Sequence, residues 1–263
     1  MNRKQPPDLD GKVVVVTGAS SGIGRAFVER AACPGARFVL LARRRDLLDS
    51  LAEEVRGRGG VALVQSVDLR DADAARAAAD RSLGEFGPPD IVVANAGLSI
   101  ARSVAATAAR PDSITRSAAV NFVGPVAHAL PLVEAMRERG AGHLIGSSTT
   151  NARLTIPGWG PYVASKSAWD AWLRTAAAEL APRGVAVTIL AFPLVATDMA
   201  RPTLAGRRAM RAEDAADWIA EAIRSRRPRI APWWLRPAEV AHAVAPTALA
   251  RAIGRSSERL SQP

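Results

Sequence analysis

Short runs of β-branched and apolar residues alternate with longer segments of mixed polarity along most of the chain. The apolar runs cover residues 12–17, 37–42, 61–65, 91–94, 142–148 and 185–192, and a last short run covers 229–231. Such runs are typical of strands that are buried on both faces of a parallel sheet. The intervening segments predict helices over 25–32, 46–56, 71–86, 111–139, 160–181, 213–224 and 238–253. This alternation predicts an α/β fold, a doubly wound parallel sheet of the Rossmann-like kind in a single domain.

A length of 263 residues fits one large α/β domain. Residues 1–10 are polar and contain proline, so we expect a mobile N-terminal tail. We expect the Rossmann-like domain to span 11–232, and 233–263 to form a helical extension packed on it.

The composition narrows the class of protein. Apolar residues make up 48% of the chain and charged residues 23%, enough to bury a core. The single cysteine excludes an intramolecular disulfide and fits a reducing cytoplasm. No basic-then-apolar segment opens the chain, which argues against a secretory signal. The longest uncharged stretch, 117–133, contains asparagine, histidine and two prolines, so we expect a buried helix and no transmembrane segment.

The formal net charge of +10 raises nucleic acid or an anionic membrane surface as partners. The basic residues are scattered and form no stripe interleaved with aromatic residues, so we expect no nucleic-acid binding. Trp233 and Trp234 leave peripheral membrane contact open. Burial of these two side chains at a subunit contact or a tail contact is the favoured alternative.

A glycine-rich turn joins the first strand to the first helix. A strand that runs into such a turn and opens a helix is the dinucleotide-binding arrangement, with a plain βα turn as the alternative. Gly18 permits the tight turn, Gly22 lets backbone approach a pyrophosphate, and Gly24 allows close helix–strand packing. The candidate cofactor-binding residues here are Gly18, Ser20, Ser21, Gly22, Ile23 and Gly24.

Arginines follow the second strand where an NAD site usually has an acidic residue. Ala42 occupies that place and Arg43, Arg44 and Arg45 come next. A guanidinium suits a 2′-phosphate, so the sequence favours NADPH/NADP over NAD, with Arg43 as the main contact and Arg44 as support. The alternative is solvated charge ahead of the next helix.

Tyr162 is the only tyrosine in the chain, and Lys166 lies four residues after it. On a helix both side chains share one face. A nearby ammonium lowers the pKa of a phenol, which makes the pair a proton donor for a carbonyl that is being reduced. The alternative is an ordinary helix face.

These motifs together resemble the short-chain dehydrogenase/reductase family, from about residue 11 to 230. The resemblance rests on 17–24, Asn95-Ala96-Gly97, Asn121 and Tyr162 with Lys166. It implies that Lys166 binds the nicotinamide ribose and lowers the pKa of Tyr162, while Asn121 holds a water that relays protons toward Lys166. It also implies cofactor contacts from Asp68 and Leu69 at the adenine and from Asn95, Ala96 and Gly97. The alternatives are that Asn121 satisfies backbone groups at a helix kink and that Asp68 is only an N-cap or turn residue.

The chain departs from the family pattern at two places. The family has a serine thirteen residues before the tyrosine, where this chain has Thr149 with Ser148 beside it. Adjacent strand residues point to opposite faces, so one of the two hydroxyls can reach the carbonyl, and the spacing favours Thr149. The loop after the sixth strand replaces the usual Pro-Gly with residues 193–197. We carry over Pro193, Val195 and Thr197 as cofactor contacts.

Residues 95–103, 193–197 and 226–230 resemble a subgroup related to bacterial long-chain acyl-CoA and aldehyde reductases. The resemblance implies a small hydrophobic carbonyl substrate and a homodimer or homotetramer formed through the helices at 111–139 and 160–181. Trp159, Leu194, Met199 and Leu204 line the substrate pocket or belong to the core. We expect a cytoplasmic NADPH-dependent carbonyl reductase without a metal. A cofactor-binding protein with weak or no catalysis and a membrane-surface protein are the alternatives.

Overall fold

The computed structural model describes residues 6–204, 206 and 208–260. The strands are β1 (Val13–Thr17), β2 (Arg37–Ala42), β3 (Val61–Ser66), β4 (Ile91–Ala94), β5 (Gly142–Thr149), β6 (Val185–Phe192), β7 (Val195–Ala196), β8 (Met210–Arg211) and β9 (Arg229–Ile230). Within the described residues, seven of them form one sheet in the order β3-β2-β1-β4-β5-β6-β9, and all its pairs are parallel.

Helices cover both faces of this sheet. They are α1 (Gly22–Ala31), α2 (Arg45–Gly57), α3 (Ala72–Phe86), α4 (Val104–Ala109), α5 (Asp112–Ala118), α6 (Gly124–Arg139), α7 (Gly160–Leu180), α8 (Ala212–Ser225), α9 (Leu235–Val244) and α10 (Pro246–Leu260). Helices α1, α2 and α8 pack on one face, and α3, α6 and α7 pack on the other. The predicted doubly wound α/β fold is confirmed.

The strands are continuous apolar runs because each buries both of its faces. Val14 and Val16 of β1 belong to the core cluster under α1, α2 and α8, whereas Val15 belongs to the cluster under α3, α6 and α7. In a strand, successive side chains point to opposite faces, so a run of valines fills both cores.

The strand order reverses between β1 and β4, which lie side by side although two strands separate them in sequence. Ligands of open parallel sheets bind outside the carboxyl ends of the strands at such a switch point. The carboxyl ends of β1, β4, β5 and β6 therefore define the region where a site is expected.

The helix expected over 111–139 is interrupted. Its axis continues from α5 to α6, but Ala119–Val123 forms a π-helical turn between them. The extra residue in that turn brings Asn121 into the interior, where it is 1% exposed and bonds the backbone of Leu98. Pro125 follows within the first turn of α6 and supplies no backbone N–H.

The helical run Asp112–Arg139 is 28 residues long and has a window of mean hydropathy 1.2, of which 44% is buried. Its length and composition would allow it to cross a membrane. In the fold, α6 packs on α3 and α5 packs on α7. These contacts support its interpretation as a core helix.

Two further elements differ from the sequence-based expectation. The closing helix expected over 238–253 is two helices, α9 and α10, because Ala245 leaves helical geometry and Pro246 begins a new helix. Helix α4 and the pair β7–β8 lie in segments for which no element was predicted. All three are short, and they pack too little apolar surface to leave a periodic pattern.

Both chain ends pack differently from the expectation. Leu9 is fully buried in the core, so ordered packing starts before residue 11, and residues 1–5 of the expected tail lie outside the described residues. Trp233 is 88% exposed and Trp234 is 39% exposed, so the expected tail contact does not bury them, and Leu235 is the residue that packs inward. A subunit contact for the two tryptophans stays a prediction.

Helix α9 is joined to the domain by polar contacts. Arg229 of β9 donates to both carboxylate oxygens of Glu239, at 2.7 and 2.5 Å. His242 forms a hydrogen bond of 2.8 Å with the hydroxyl of Thr155, in the loop that precedes α7. The extension thus contacts the same loop that enters the candidate site.

The burial of His128 on α6 predicts that the fold loses stability in acid. Its ring is fully buried, neither ring nitrogen has a hydrogen-bond partner among the described residues, and desolvation lowers its pKa to about 4. In the unfolded chain the pKa is the ordinary value near 6.5, so the unfolded state binds the extra proton between these values. Stability should therefore fall as the pH drops from 6.5 to 4, by about 2.5 kcal/mol at pH 4.5.

Urea denaturation of the wild type and of His128→Leu at pH 7 and pH 4.5 measures this contribution. Leucine fills the site without a titrating group, so the variant should lose less stability on acidification. His143 also has its pKa lowered to about 4, and it bonds Thr188 at 2.8 Å, so part of the acid sensitivity should persist. An identical loss in both proteins would contradict the assignment to His128.

Candidate active site

A cavity of about 1020 Å³ opens at the carboxyl edge of the sheet. The ends of β1, β2, β4, β5 and β6 surround it, together with the start of α7, the loop after β6 and α10. Of the predicted site residues it is lined by Gly18, Ser20, Ser21, Gly22, Ile23, Arg43, Arg44, Asp68, Leu69, Asn95, Ala96, Gly97, Ser148, Thr149, Tyr162, Lys166, Pro193, Val195 and Thr197. Gly24 and Asn121 do not line the cavity, but they contact residues that do.

The glycine-rich turn has the geometry of a backbone cradle. Gly18 and Gly22 have φ angles of 71° and 57°, which side-chain-bearing residues rarely adopt. A Cβ on Gly24 would lie 2.5 Å from the carbonyl oxygen of Gly18, so glycine is needed for α1 to start against the turn. The turn therefore exposes backbone at a helix N-terminus, which fits a dinucleotide pyrophosphate.

Hydrogen bonds join the ends of the three central strands. The hydroxyl of Thr17 accepts from the backbone N–H groups of Asn95 and Ala96, both at 3.0 Å. The hydroxyl of Ser147 donates to the side-chain oxygen of Asn95 at 3.1 Å. The turn after β4 is thus fixed to β1 on one side and to β5 on the other.

Asn121 connects this turn to α7. Its amide oxygen accepts from the N–H of Leu98 at 2.7 Å, and its amide nitrogen donates to the carbonyl of Leu98 at 2.8 Å and to the hydroxyl of Ser165 at 2.9 Å. The side chain thereby uses both amide hydrogens and its oxygen on protein partners. This arrangement holds Gly97 against Lys166, where a Cβ on Gly97 would lie 3.5 Å from Nζ.

Tyr162 and Lys166 face the cavity from the first turns of α7. Lys166 is 6% exposed as a residue, and its ammonium donates to the carbonyl of Ser147 at 3.0 Å. Desolvation lowers the pKa of Lys166 to about 8. Trp159 packs edge-on against the ring of Tyr162, with ring centroids 5.7 Å apart.

The expected lowering of the Tyr162 pKa is wrong for the chain as described. Burial raises that pKa because the phenolate is harder to solvate than the phenol, and a hydrogen bond with Thr149 opposes the shift. The ammonium of Lys166 is directed at the carbonyl of Ser147 and is not among the groups that lower this pKa.

Ser148 and Thr149 point in different directions. The hydroxyl of Thr149 faces the phenol of Tyr162, on whose pKa it acts, and accepts the N–H of Asn151 at 3.3 Å. The hydroxyl of Ser148 is directed away from the phenol and donates to the carboxylate of Asp170 at 3.3 Å. The alternation of β5 therefore presents Thr149 to the tyrosine.

The arginines after β2 lie beside the glycine-rich turn. Arg44 donates to the hydroxyls of Ser21 and Ser20 at 2.6 and 3.2 Å, whereas Arg43 lines the cavity as an exposed side chain. Asp68 forms hydrogen bonds of 2.5 and 2.8 Å with Arg70, which lowers the pKa of Asp68. A carboxylate is thus near the cavity, but Arg70 already neutralises it.

Apolar residues distant in sequence complete the cavity. Trp159, Leu194 and Met199 line it as expected for a substrate pocket, whereas Leu204 does not. The cavity is also lined by residues that the sequence does not indicate, among them Arg116, Val120, Thr155, Ile156, Pro157, Ala252 and Ile253. No motif marks these residues, and the last two reach the site only because α10 folds back over it.

A family model described as short chain dehydrogenase matches residues 12–208. The chain belongs to the short-chain dehydrogenase family. A fatty acyl-CoA reductase of Mycobacterium tuberculosis is 40% identical over 231 residues, which cover 87% of this chain and 79% of the relative. The resemblance inferred from the motifs is confirmed.

Solved structures of other short-chain dehydrogenases have the same fold. One from Burkholderia cenocepacia in complex with NADP is 27% identical, with a TM-score of 0.73 and coverage of 82% of this chain and 91% of that one. A 3-ketoacyl-(acyl-carrier-protein) reductase from Brucella melitensis complexed with NADH is 26% identical, with a TM-score of 0.73 and coverage of 82% and 92%. This dehydrogenase therefore belongs to a family that binds nicotinamide cofactors.

The contacts of Asn121 predict a structural cost for its removal. Asn121→Ala leaves the N–H and C=O of Leu98 without their partner, and each such buried group costs about 1–3 kcal/mol. Because Leu98 is half-buried, we expect the free energy of unfolding to fall by about 2 kcal/mol in total. Urea denaturation measures it.

Ser165→Ala is the matched control. It removes the hydrogen bond from Asn121, worth about 1 kcal/mol, together with the local bond that Ser165 donates to the carbonyl of Tyr162, and it leaves Leu98 paired. Equal stability of Asn121→Ala and the wild type would show that water replaces the amide at no cost.

Proposed function

We propose that this dehydrogenase uses NADPH to reduce the carbonyl group of a hydrophobic substrate, with Tyr162 as the general acid. The observation that carries the proposal is the convergence of the Tyr162 phenol, the Thr149 hydroxyl and the Lys166 ammonium in one cavity. That cavity begins at a dinucleotide-type turn and ends against apolar side chains. The cavity thus has one end suited to the cofactor and another suited to a hydrophobic substrate.

Several features support a long apolar substrate. Ile156, Trp159, Leu194, Met199 and Ile253 line the cavity beyond Tyr162. Burial of each methylene group contributes about 0.8 kcal/mol, so an acyl chain would gain affinity with length. The similarity to a fatty acyl-CoA reductase supports an acyl thioester, although an aldehyde or ketone would fit the same contacts.

The chemistry divides between cofactor and protein. Bound NADPH would supply a hydride to the carbonyl carbon. Tyr162 gives its proton to the carbonyl oxygen, and Thr149 donates a hydrogen bond to that oxygen as negative charge develops. Reduction of an acyl thioester consumes one NADPH and one proton and releases an aldehyde, a thiol and NADP⁺.

The electrostatics of the site set the protonation state of its groups at neutral pH. Burial raises the pKa of Tyr162, which leaves the phenol protonated but makes it a weaker proton donor. The ammonium of Lys166 lies against Gly97 and would bind the nicotinamide ribose.

We propose NADPH as the preferred cofactor because arginines occupy the place of the ribose-binding acid. Arg43→Ala and Arg44→Ala should each raise the Kd of NADPH about ten- to a hundredfold, the equivalent of about 1.5–3 kcal/mol for a lost charge-assisted contact. The Kd of NADH should change by less than about twofold, since NADH lacks the phosphate.

Fluorescence titration with each cofactor gives these constants. Arg45→Ala is the control, because Arg45 bonds Asp49 at 2.9 Å on α2 and does not line the cavity. If NADPH and NADH weaken equally in the Arg43 and Arg44 variants, these arginines support the turn and do not select the phosphate.

The test of function is NADPH oxidation with acyl-CoA and aldehyde substrates of increasing chain length. We expect kcat/KM to rise with length and Tyr162→Phe to abolish turnover with NADPH binding nearly unchanged, because phenylalanine removes only the transferable proton. Thr149→Val should lose about a hundredfold in kcat, far more than Ser148→Ala, and Thr149→Ser should stay active.

Two results would oppose the proposal. Full activity of Tyr162→Phe would exclude the phenol as the acid. NADPH binding by a wild type that turns over no substrate in the panel would favour a cofactor-binding protein. The cytoplasmic location and the assembly into a homodimer or homotetramer stay predictions.

A further inference from the structure

Asp170 is a buried carboxylate just outside the cavity. It lies on α7, eight residues after Tyr162, and its side chain is 2% exposed. Its oxygen Oδ1 accepts from Nε and Nη2 of Arg153, both at 2.9 Å, and from Nε of Arg174 at 3.2 Å. Its other oxygen, Oδ2, accepts from the hydroxyl of Ser148 at 3.3 Å.

Two of these partners bracket Thr149. Ser148 directly precedes it in β5, and Arg153 ends the 3-10 helix Thr150–Arg153 that directly follows it. One carboxylate thus holds the chain before and after the threonine. A further bond of 2.6 Å from the hydroxyl of Ser167 to the carbonyl of Ala152 fixes the same turn to α7.

This bracketing constrains the direction of the Thr149 hydroxyl. When Ser148 is held toward Asp170, the alternation of the strand turns Thr149 the opposite way, toward Tyr162. When Arg153 is held, the backbone N–H of Asn151 stays 3.3 Å from the Thr149 oxygen. That bond occupies a lone pair and leaves the hydroxyl proton for donation.

We propose that Asp170 is a positioning residue that aims the Thr149 hydroxyl at the reacting carbonyl oxygen. It acts through the backbone of residues 148–153 and does not touch the substrate. The inference rests on the proposed function, in which Thr149 donates to that oxygen. A purely stabilising role for Asp170 is the competing explanation.

Arg174 provides a matched control within the chain. It contacts the same oxygen of Asp170 as Arg153 does, but it lies four residues further along α7 and is 55% exposed. Within the part of the chain that the structure describes, Arg174 forms no hydrogen bond or ion pair with residues 148–153. Arg153→Met should therefore disturb Thr149, whereas Arg174→Met should leave turnover at the wild-type level.

The decisive experiment is a double-mutant cycle between Asp170→Asn and Thr149→Val. Asparagine keeps the shape and one acceptor oxygen but removes the charge that holds Arg153. We expect Asp170→Asn to lower kcat at saturating NADPH about ten- to a hundredfold and to leave the Kd of NADPH within about twofold of wild type. Thr149→Val should then cost less than about tenfold in the Asp170→Asn background, against about a hundredfold in the wild type.

The possible outcomes separate this inference from the proposed function. If Thr149→Val alone is fully active, the role of Thr149 in the proposed function fails. If Thr149→Val costs its full factor in both backgrounds, Asp170 does not act through Thr149 and the inference is overturned.

Arg153 variants keep the test informative if Asp170→Asn does not fold. Arg153→Met can take the place of Asp170→Asn in the cycle, and it should reduce the cost of Thr149→Val in the same way. Arg153→Lys should recover part of kcat, because it restores a cation beside the carboxylate. An equal loss of kcat in Arg174→Met and Arg153→Met would show that Asp170 only stabilises α7, which overturns the inference.

Discussion

The contact between the end of β5 and α7 is the constraint on which the rest of the site depends. Three consecutive β5 residues meet three α7 residues spaced four apart: Ser147 bonds Lys166, Ser148 bonds Asp170, and Thr149 faces Tyr162. Residues four apart on a helix share one face, so one face of α7 contacts all three strand residues. A shift of one residue in β5 would break all three contacts at once. The positions of the catalytic side chains therefore depend on the register of β5 against α7.

Burial gives these contacts their effect. Lys166 and Asp170 are both nearly inaccessible, and a charged group in such a place is costly unless it is hydrogen-bonded. Their bonds fix the rotation of α7, and with it the direction of the Tyr162 phenol. The same low polarity raises the pKa of Tyr162 and lowers that of Lys166. Structural support and acid–base properties thus have one physical origin.

The second support of the site is the amide of Asn121. Its π-helical turn lets one side chain satisfy both backbone groups of Leu98 and also bond Ser165 of α7. The adjacent turn after β4 is fixed to β1 through Thr17. Hydrogen bonds therefore connect the cofactor side of the cavity to its catalytic side. Substitutions at Asn121 should accordingly affect stability and chemistry together.

The sequence by itself determined the fold class, the six long strands, the glycine-rich turn and the positions of Tyr162 and Thr149. These follow from local signals, namely apolar runs buried on two faces, glycines at strained turns and four-residue helix spacing, and for Thr149 from the resemblance to the family. Only the tertiary structure decided the π-helical turn at Asn121, the split of the last helix, the exposure of Trp233, the raised pKa of Tyr162 and the place of Ile253 in the cavity wall. Each of these depends on groups far apart in the chain, whose desolvation and hydrogen-bond partners are set by packing, so no local pattern of residues could indicate them.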